Sequence, residues 1–352
     1  MKKTINFLVL FTVIAVLSVY VSGCKEDDPV EPAGSKTELN ALITECETLH
    51  GAATEGTSVG FYEVGSKAVF QTAIEAAKAV ANTEGAIQSV IDAAKANLNA
   101  AKTVFEGKYI QNVSTDGLVA QWLFDGDATD FTGNGNDGTA KVGHEFWGAG
   151  TPVLTTDRFG NEDRAYYLNQ GANIEVPYTT ALNPASMSLS WWVYMEELEN
   201  NDYMISMNRW GCYKVNLQTV NRVFFTTKVE DPENPGEYIY SDRDNDGDGL
   251  VENQWYHLSV TFGGGHMIFY IDGAMVKDWD NVPDAAILNI SNEPINLTMG
   301  QDLPTAVYST DDTSPYYVNW GGYFKGKIDD VRLYNRVITG QEVSSIYNLE
   351  KP

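Results

Sequence analysis

The sequence of 352 residues is poor in cysteine and histidine. It contains three cysteines, Cys24, Cys46 and Cys212, and four histidines. Cysteines so few and so far apart do not make a disulfide scaffold, and a bond between Cys46 and Cys212 would have to join two different predicted domains. The sequence has no HxxxH and no CxxC spacing. These absences argue against a disulfide-rich protein and against a catalytic zinc site.

Basic residues are also scarce. Lysines and arginines total 23 against 48 aspartates and glutamates, which gives a formal net charge of -25. Loss of residues 1–23, whose only charged side chains are Lys2 and Lys3, would change the charge from -25 to -27. Such a chain repels phosphate groups, so we expect no nucleic-acid partner and no binding to an anionic membrane surface. A neutral ligand or divalent cations fit this charge better.

One long apolar run occurs, at residues 5–21. It follows a pair of lysines and ends in VSG before Cys24, which is the layout of a secretory signal peptide over residues 1–23. The alternative is a single membrane-spanning helix, for which the run is marginal in length.

The sequence VSG followed by Cys24 resembles the lipobox of bacterial lipoproteins, which implies that Cys24 becomes the lipidated N-terminus. Residues 24–35, CKEDDPVEPAGS, are acidic and proline-bearing and predict a flexible tether. Acidic residues close behind the lipidated cysteine also resemble the export signal of surface lipoproteins in Bacteroidetes. These resemblances imply an outer-membrane lipoprotein that faces the cell exterior and contacts the membrane through its lipid anchor only.

Residues 36–107 differ in composition from the rest of the chain. FQTAIEAAKAV and AIQSVIDAAKANLNAAKTVF place apolar residues three and four apart, are rich in alanine and contain neither tryptophan nor proline. With TELNALITECETL they predict three amphipathic helices joined by glycine-bearing turns. Their spacing resembles the small FIVAR-like three-helix modules of bacterial surface proteins, which implies the role of a spacer.

Residues 115–350 predict a domain of short strands. All eight tryptophans lie there, and HLSVTF and MIFYIDGAMVK alternate apolar and polar residues with period two. Asp272 and Gly273 stand where a tight hairpin turn requires positive φ angles. Roughly 235 residues of such strands, without a long helix, predict one sandwich or jelly-roll domain.

Four segments of this domain carry a family resemblance: GLVAQWLFDGDATDFTGNGNDGT, MSLSWWVYM, NQWYHLSVTF with FYIDGAMV, and FKGKIDDVRLYNRVITGQEVSSIYN. Their order resembles laminin-G-like domains of the concanavalin A-like lectin/glucanase superfamily, over nearly all of residues 115–350. The resemblance implies a mainly β fold, a two-sheet antiparallel jelly-roll sandwich, preceded by the small three-helix module. It also implies a domain of a kind that often binds carbohydrate, and it does not imply catalysis.

One glucanase motif of this superfamily occurs at residues 26–31, where EDDPVE fits the pattern ExDxxE. Retaining glucanases need two carboxylates about 5 Å apart, held by a buried strand. Here they lie in the predicted tether, so we assign no catalytic residue. A glycan-active enzyme of the same superfamily, with another arrangement of carboxylates, is the alternative.

Two acidic places predict calcium. In SDRDNDGDG, Asp242, Asp244, Asp246 and Gly247 occupy positions one, three, five and six of an EF-hand-type loop. Position twelve is Asn253 instead of a bidentate glutamate, which excludes a complete EF-hand. A looser calcium loop and a solvated acidic hairpin both remain open.

The second place follows from the family resemblance. Relatives often fix a structural calcium where the first and last strands meet, and Asp329 matches the aspartate of the closing motif. Asp125 and Asp130 belong to the opening strand and turn. Carboxylates brought together from both ends of the domain would repel each other without a cation, so we expect a structural calcium there.

Strand parity predicts a ligand face, because successive side chains of a strand point to opposite sides. In MSLSWWVYM it places Trp192 and Tyr194 on the polar side, and in CYKVNLQ it places Lys214 and Asn216 there. The residues expected to point into the core are Leu189, Trp191, Val193, Tyr213, Val215 and Leu217.

An aromatic platform beside amide and ammonium donors suits a sugar, whose apolar face stacks while its hydroxyls are hydrogen-bonded. The alternative for Trp192 is that it packs under a loop. Trp210, Tyr316 and Trp320 are further candidates, located in predicted loops.

Together these features predict a surface-anchored, non-catalytic lipoprotein that captures an extracellular polysaccharide or glycan. The order of lipid, tether, spacer and sandwich would lift a binding face away from the membrane. A third hypothesis is adhesion to another surface protein, which would predict a flat interface built from loops in place of an aromatic-lined groove.

Overall fold

The computed structural model describes residues 32–198, 201–289 and 295–352. The predicted signal peptide, Cys24 and the motif at residues 26–31 lie outside the described residues. In the described ranges no helix combines the length and the hydropathy that a membrane span requires.

Three helices form the N-terminal part, which confirms the prediction from the alanine-rich spacing. They are α1 (Thr37–Ala52), α2 (Ser66–Asn82) and α3 (Gln88–Glu106). Each helix has one apolar stripe, and the three stripes bury one another. The rings of Phe70 and Phe105 stack in this core with their centroids 4.4 Å apart.

The rest of the described chain is built mainly from strands. They are β1 (Leu118–Trp122), β2 (Thr139–Lys141), β3 (Val153–Thr155), β4 (Ala165–Leu168), β5 (Asn173–Val176), β6 (Met187–Met195), β7 (Tyr203–Met207), β8 (Tyr213–Gln218), β9 (Arg222–Glu230), β10 (Tyr238–Asp244), β11 (Trp255–Gly263), β12 (His266–Ile271), β13 (Ala274–Trp279), β14 (Leu297–Met299) and β15 (Gly326–Tyr334). A fourth α-helix, α4 (Gly340–Glu350), follows the last strand.

These strands pair into two antiparallel sheets. The eight-stranded sheet has the order β13-β12-β11-β6-β15-β4-β3, and β1 also pairs with β15. The seven-stranded sheet has the order β10-β9-β8-β7-β14-β5-β2. The first and last strands of the domain are therefore hydrogen-bonded neighbours, and the two-sheet antiparallel sandwich expected from the sequence is confirmed.

The core lies between the two sheets and follows strand parity. All six residues expected to point inward belong to it. The hairpin between β12 and β13 turns at Asp272 and Gly273, with φ angles of 51° and 75°, as the sequence predicts. A Cβ atom at Gly273 would meet the Tyr347 side chain at 2.7 Å, so the turn needs glycine both for its φ angle and for its close approach to α4.

The sequence prediction of strands without a long helix missed α4. Thr339 caps its first turn: the Thr339 hydroxyl accepts a hydrogen bond from the amide of Glu342, and the Glu342 carboxylate accepts one from the amide of Thr339. This reciprocal capping box is readable in the sequence as TGQE. The helix lies on the outer face of the eight-stranded sheet, where its Tyr347 stacks on Trp192.

The helical module is packed against α4. The Glu63 carboxylate accepts hydrogen bonds from Ser344 Oγ and from Asn348 Nδ2, the latter at 2.9 Å. Gln341 Nε2 donates to the carbonyl oxygens of Glu106 and Tyr109. These contacts attach the three helices to the sandwich through side chains as well as through the connecting chain.

Candidate functional site

Trp192 lies on the outer face of the eight-stranded sheet, as strand parity predicts, but α4 covers that face. Its side chain is 2% exposed. Tyr347 stacks on it with ring centroids 5.9 Å apart, and its Nε1 donates to the Glu350 carboxylate at 3.2 Å. Trp192 therefore packs under a helix. A sugar stacked on Trp192, as the sequence predicts, would have to occupy the surface that α4 covers.

Tyr194 is on the same strand as Trp192 and is half-buried. Its hydroxyl lies 3.4 Å from Asn253 Oδ1, and its ring centroid lies 5.8 Å from that of Trp255. Lys214 and Asn216 are on the outer face of the other sheet. The structure therefore separates the two pairs of predicted ligand residues by the thickness of the sandwich.

The outer face of the seven-stranded sheet carries a row of polar side chains. The strand register aligns Ser206 of β7, Lys214 of β8, Thr226 of β9 and Asp242 of β10. Asn216 pairs with Phe224 in the adjacent row, and Lys228 pairs with Tyr240 on the other side. We call this surface, formed by the outward side chains of β7–β10, the polar face.

The loop between β7 and β8 holds Trp210 over the polar face. Lys214 Nζ lies 3.9 Å from the centroid of the Trp210 ring. The Trp210 and Tyr240 rings meet edge to face with centroids 5.7 Å apart, and Lys228 Nζ lies 3.7 Å from the Tyr240 ring. Two aromatic rings and two ammonium groups therefore share one corner of the face.

The backbone that presents Trp210 is strained. Asn208 and Arg209 both have positive φ angles, 57° and 47°, a conformation that costs free energy for residues other than glycine. Arg209 Nε donates to the buried carboxylate of Asp302, and Arg209 Nη1 donates to the carbonyl oxygens of Pro315 and Tyr317. These bonds hold the strained loop in place.

The same bonds bring the loop that carries Tyr316 and Trp320 next to the Trp210 loop. Trp320 is 53% exposed and meets Tyr317 edge to face with centroids 5.6 Å apart. Of the seven residues predicted from the sequence, Lys214, Asn216 and Trp210 lie on the polar face, and Tyr316 and Trp320 lie in the loop that Arg209 holds beside the Trp210 loop. Trp192 and Tyr194 lie in neither place.

Burial dominates the electrostatics of the polar face. Lys214 is fully buried, and burial lowers its pKa from 10.5 to about 7, against the charges of Asp242 and Asp302, which raise it. Its ammonium donates to Asn216 Oδ1 at 2.9 Å. Among the described residues, the buried atoms Thr226 Oγ1 and Asp242 Oδ1 have no hydrogen-bond partner. Both atoms lie beneath the surface of the face, where a buried polar atom without a partner destabilises the fold.

The three aspartates of the predicted structural calcium site have different partners. Asp125 forms an ion pair with Arg164, and Asp329 forms one with Arg158. Burial alone would raise the pKa of Asp130, but hydrogen bonds from Thr132, Gln121 and Asn136 lower it below its ordinary value. Asp125 and Asp329 thus have cationic partners and Asp130 has hydrogen-bond donors, while burial still raises the pKa of Asp329 to about 8.

The acidic loop does not gather its carboxylates either. Asp242 and Asp244 belong to β10, Asp244 lies 3.4 Å from an Arg222 nitrogen, and Asp246 lies 2.7 Å from Lys277 Nζ. Within the described part of the chain, no group of three or more His, Cys, Asp or Glu side chains is placed to hold a metal ion. The described residues therefore do not fit a calcium site, and calcium stays a prediction that this geometry does not support.

Sequence reasoning missed four residues of the polar face as ligand candidates: Thr226, Lys228, Tyr240 and Asp242. Asp242 was considered only as a metal ligand. In YIYSDRD the residues at positions 240 and 242 are two apart, as outward side chains of a strand must be. The alternation was therefore available, but the loop-like spacing of the aspartates concealed the strand.

A buried serine and histidine lie under α4. Ser190 Oγ and His257 Nε2 are 2.8 Å apart, and burial lowers the pKa of His257 to about 3. The histidine is fully buried against Trp192 and Tyr347. This pair belongs to the packing of the sheet under α4.

A cleft of about 360 Å³ lies at the edge of β1. Leu118, Val119 and Ala181 form its apolar part, and Asn134 and Asn136 its polar part. Both amide groups donate to the Val119 carbonyl oxygen. None of the described side chains that line it is aromatic, so it lacks the stacking surface of the polar face.

Residues 168–344 match the model of the laminin G family Laminin_G_3, described as the concanavalin A-like lectin/glucanases superfamily. A curated relative, the surface-layer 125 kDa protein of Lysinibacillus sphaericus, is 32% identical over 110 residues. That match covers 31% of this chain and 9% of the relative, so the chain spans only a small part of that protein.

Two solved structures illustrate the likeness of fold. Domain 4 of AbnA, a GH43 extracellular arabinanase from Geobacillus stearothermophilus in complex with arabinotriose, is 21% identical with a TM-score of 0.48, covering 65% of this chain and 98% of that one. The binding domain of botulinum neurotoxin DC in complex with SialylT is 14% identical with a TM-score of 0.43, covering 66% and 51%.

Proposed function

The chain belongs to the concanavalin A-like lectin/glucanase superfamily, and from that premise we propose that its sandwich binds an extracellular polysaccharide or glycan without catalysing a reaction. The ligand would bind at the polar face. The protein would reach the cell exterior as an outer-membrane lipoprotein anchored through Cys24.

The observation that carries this proposal is the corner formed by Trp210 and Tyr240 above Lys214 and Lys228. Tyr240 is 47% exposed and Trp210 is half-buried, so aromatic surface is available beside the sheet. A sugar can stack its apolar face on such rings and direct its hydroxyls to polar atoms beneath. Asp242, which is only partly buried, is the polar residue of the face placed for that second role.

The arrangement of carboxylates supports binding over catalysis. A glycosidase uses a pair of carboxylates on either side of the scissile bond. On the polar face Asp242 has an unused oxygen, whereas Asp302 is already bonded by Arg209, by the Tyr308 hydroxyl and by the amide of Gly322. The alternative function is that of a glycan-active enzyme, and the release of reducing ends tests it.

The surface location rests on the N-terminal sequence, VSG before Cys24, and on the likeness of part of the chain to a surface-layer protein. We further propose that the helical module, FIVAR-like in its spacing, carries the sandwich as an arm. The hydrogen bonds that the Glu63 carboxylate accepts from α4 support an arm that is fixed to the sandwich, not a spacer that moves freely relative to it.

Affinity electrophoresis tests the proposal. The chain from Lys25 onward, which retains every described residue, would be run through gels that contain single polysaccharides. We expect one glycan class to retard it without release of reducing ends. Trp210→Ala and Tyr240→Ala should abolish the retardation, whereas Phe131→Ala, at an aromatic residue that is 69% exposed and absent from the polar face, should not.

Three other outcomes of this experiment would contradict parts of the proposal. Release of reducing ends would establish the enzyme. No retardation by any polysaccharide would overturn glycan binding and favour a protein partner at the cell surface. Retardation that survives both aromatic substitutions would move the site away from the polar face.

A further inference from the structure

A second cleft, of about 150 Å³, lies at one end of the sandwich, and we call it the end cleft. Its wall includes Trp147 from the segment after β2, Tyr323 and Lys325 from the segment before β15, and Glu197 from the segment after β6. Asn201 and Asp202, just before β7, complete its polar side, and Gly321 and Gly322 line it as well. None of the ligand residues predicted from the sequence lines this cleft.

The aromatic wall of the end cleft is held from behind. The Trp147 ring lies 5.6 Å from the Tyr323 ring and 6.4 Å from the Tyr308 ring, centroid to centroid. The Tyr308 hydroxyl donates to the buried carboxylate of Asp302. Trp147 itself is half-buried. It therefore combines a fixed orientation with an accessible ring, as a stacking platform requires.

The polar wall is also held in place. The backbone amide of Asn201 donates to the Leu217 carbonyl oxygen at 3.0 Å, and the Leu217 amide donates to the Asp202 carbonyl oxygen at 3.0 Å. Glu197 and Lys325 form an ion pair across the mouth. A Cβ atom at Gly322 would meet the Asn201 carbonyl oxygen at 2.2 Å, so only glycine lets these two segments approach so closely.

Size and charge restrict the ligand. Pockets for drug-sized molecules have volumes of about 300–1,000 Å³, so a cleft half as large as the smallest of these suits a single ring. The residues that line the cleft include two acidic residues, Glu197 and Asp202, and one lysine, Lys325. An acidic ring would meet a net negative wall. A neutral ring with several hydroxyls meets acceptors and a donor.

We propose that the end cleft is a second carbohydrate subsite that takes one neutral sugar ring, stacked on Trp147 with its hydroxyls toward Asn201, Asp202 and Glu197. This inference rests on the proposed glycan-binding function and adds to it a subsite distinct from the polar face. The Arg209–Asp302 pair lies between the two sites, since a Cβ atom at Gly321 would meet Asp302 Oδ1 at 2.5 Å and Arg209 Nη2 at 2.9 Å.

Calorimetric titration with methyl glycosides tests the inference. The chain from Lys25 onward would be titrated with the methyl glycosides of glucose, galactose, mannose and arabinose, and with methyl glucuronide as the acidic probe. We expect one neutral glycoside to bind and the glucuronide to bind at least tenfold more weakly, about the effect of one unfavourable charge contact.

Three tryptophan and phenylalanine variants locate the site. Trp147→Ala should lower the affinity for the neutral glycoside about tenfold, the effect of losing one stacking contact. Phe146→Ala is the matched control, because Phe146 touches Trp147 but does not line the cleft; its affinity should stay within about twofold of the wild type. Trp210→Ala is the comparison variant: if it weakens glycoside binding and Trp147→Ala does not, the glycoside binds at the polar face and the end cleft is overturned as the site.

Glu197→Gln gives a second test in case Trp147→Ala does not fold. Glu197 is exposed, so its replacement should not prevent folding. The variant should bind the neutral glycoside at least threefold more weakly, as expected for one lost charged hydrogen bond. Glycoside binding that neither variant changes would overturn the end cleft as the site. Loss of polysaccharide binding in Trp210→Ala alone would then leave the proposed function intact. Binding of neither glycosides nor polysaccharides would overturn both.

Discussion

Replacing Lys214 by methionine should stabilise the protein in a pH-dependent way. The unfolded chain holds the Lys214 proton up to about pH 10.5, whereas burial lets the folded protein release it near pH 7. Between these values the unfolded state binds more protons, so the free energy of unfolding of the wild type rises with pH. Lys214→Met removes this group from the titration and should flatten the rise.

The size of the effect follows from the shift. One pKa unit corresponds to about 1.4 kcal/mol, so the Lys214 contribution should rise by on the order of 2.5 kcal/mol between about pH 7.5 and about pH 9.5. The advantage of Lys214→Met over the wild type should shrink by the same amount over this range. Urea denaturation followed by tryptophan fluorescence, at half-unit steps of pH, measures it.

Val215→Ala is the matched control on the same strand. Val215 points into the core, away from Lys214, so its truncation should lower the free energy of unfolding by roughly 2 kcal/mol at every pH. A pH slope that Lys214→Met leaves unchanged would refute the reasoning, because it would show that the buried ammonium keeps its proton through this range.

Four further outcomes are expected. Trp192→Ala should lower the free energy of unfolding by about 3–5 kcal/mol, as for other buried tryptophans. Glycan binding by the folded variant should be unchanged in affinity electrophoresis, and weakened binding would show that Trp192 belongs to the binding site. His257→Gln should reduce the loss of stability on acidification by up to about 1.4 kcal/mol per pH unit. The reason is that the unfolded histidine takes up a proton below pH 6.5, whereas the buried one does so only near pH 3. Denaturation curves from pH 7 down to pH 5 measure this, and an unchanged slope would contradict the lowered pKa of His257. Glu63→Ala should expose the connection between the helical module and the sandwich to limited proteolysis, since it removes the acceptor for Ser344 and Asn348; an unchanged cleavage rate would show that the module is held otherwise. Excess calcium should move the melting temperature by no more than about 1 °C relative to chelator, whereas a bound ion at one hundred times its dissociation constant would add about 2.7 kcal/mol and several degrees.

The strands of the sandwich were predictable because a buried face imposes period two on the sequence. MSLSWWVYM is β6 in full, and Leu189, Trp191 and Val193 face the core. The β12–β13 hairpin was predictable because Asp272 and Gly273 accept positive φ angles. The three helices followed from apolar residues spaced three and four apart.

The ligand face was predictable only in part, because parity assigns a side of the strand but does not say what covers it. Trp192 and Lys214 are both on outward faces, and α4 covers the first of them. Finding this from the sequence would have required recognising the capping box at Thr339 and then placing the helix on the correct sheet. The partners of Asp329 could not be read either, since Arg158 is far from it in the sequence.

The two outward faces differ in how they accommodate buried charge, and this difference indicates where a ligand belongs. Under α4, the carboxylates of Asp329, Asp330 and Glu350 lie within ion-pair distance of Arg158 and Arg332, and burial raises the pKa of Asp329 to about 8. On the polar face, Lys214 has no carboxylate within ion-pair distance among the described residues; it donates to an amide oxygen and lies over the Trp210 ring. A buried ammonium group without a carboxylate partner destabilises a fold. Such a cost is typical of functional sites, which agrees with the binding site proposed for the polar face.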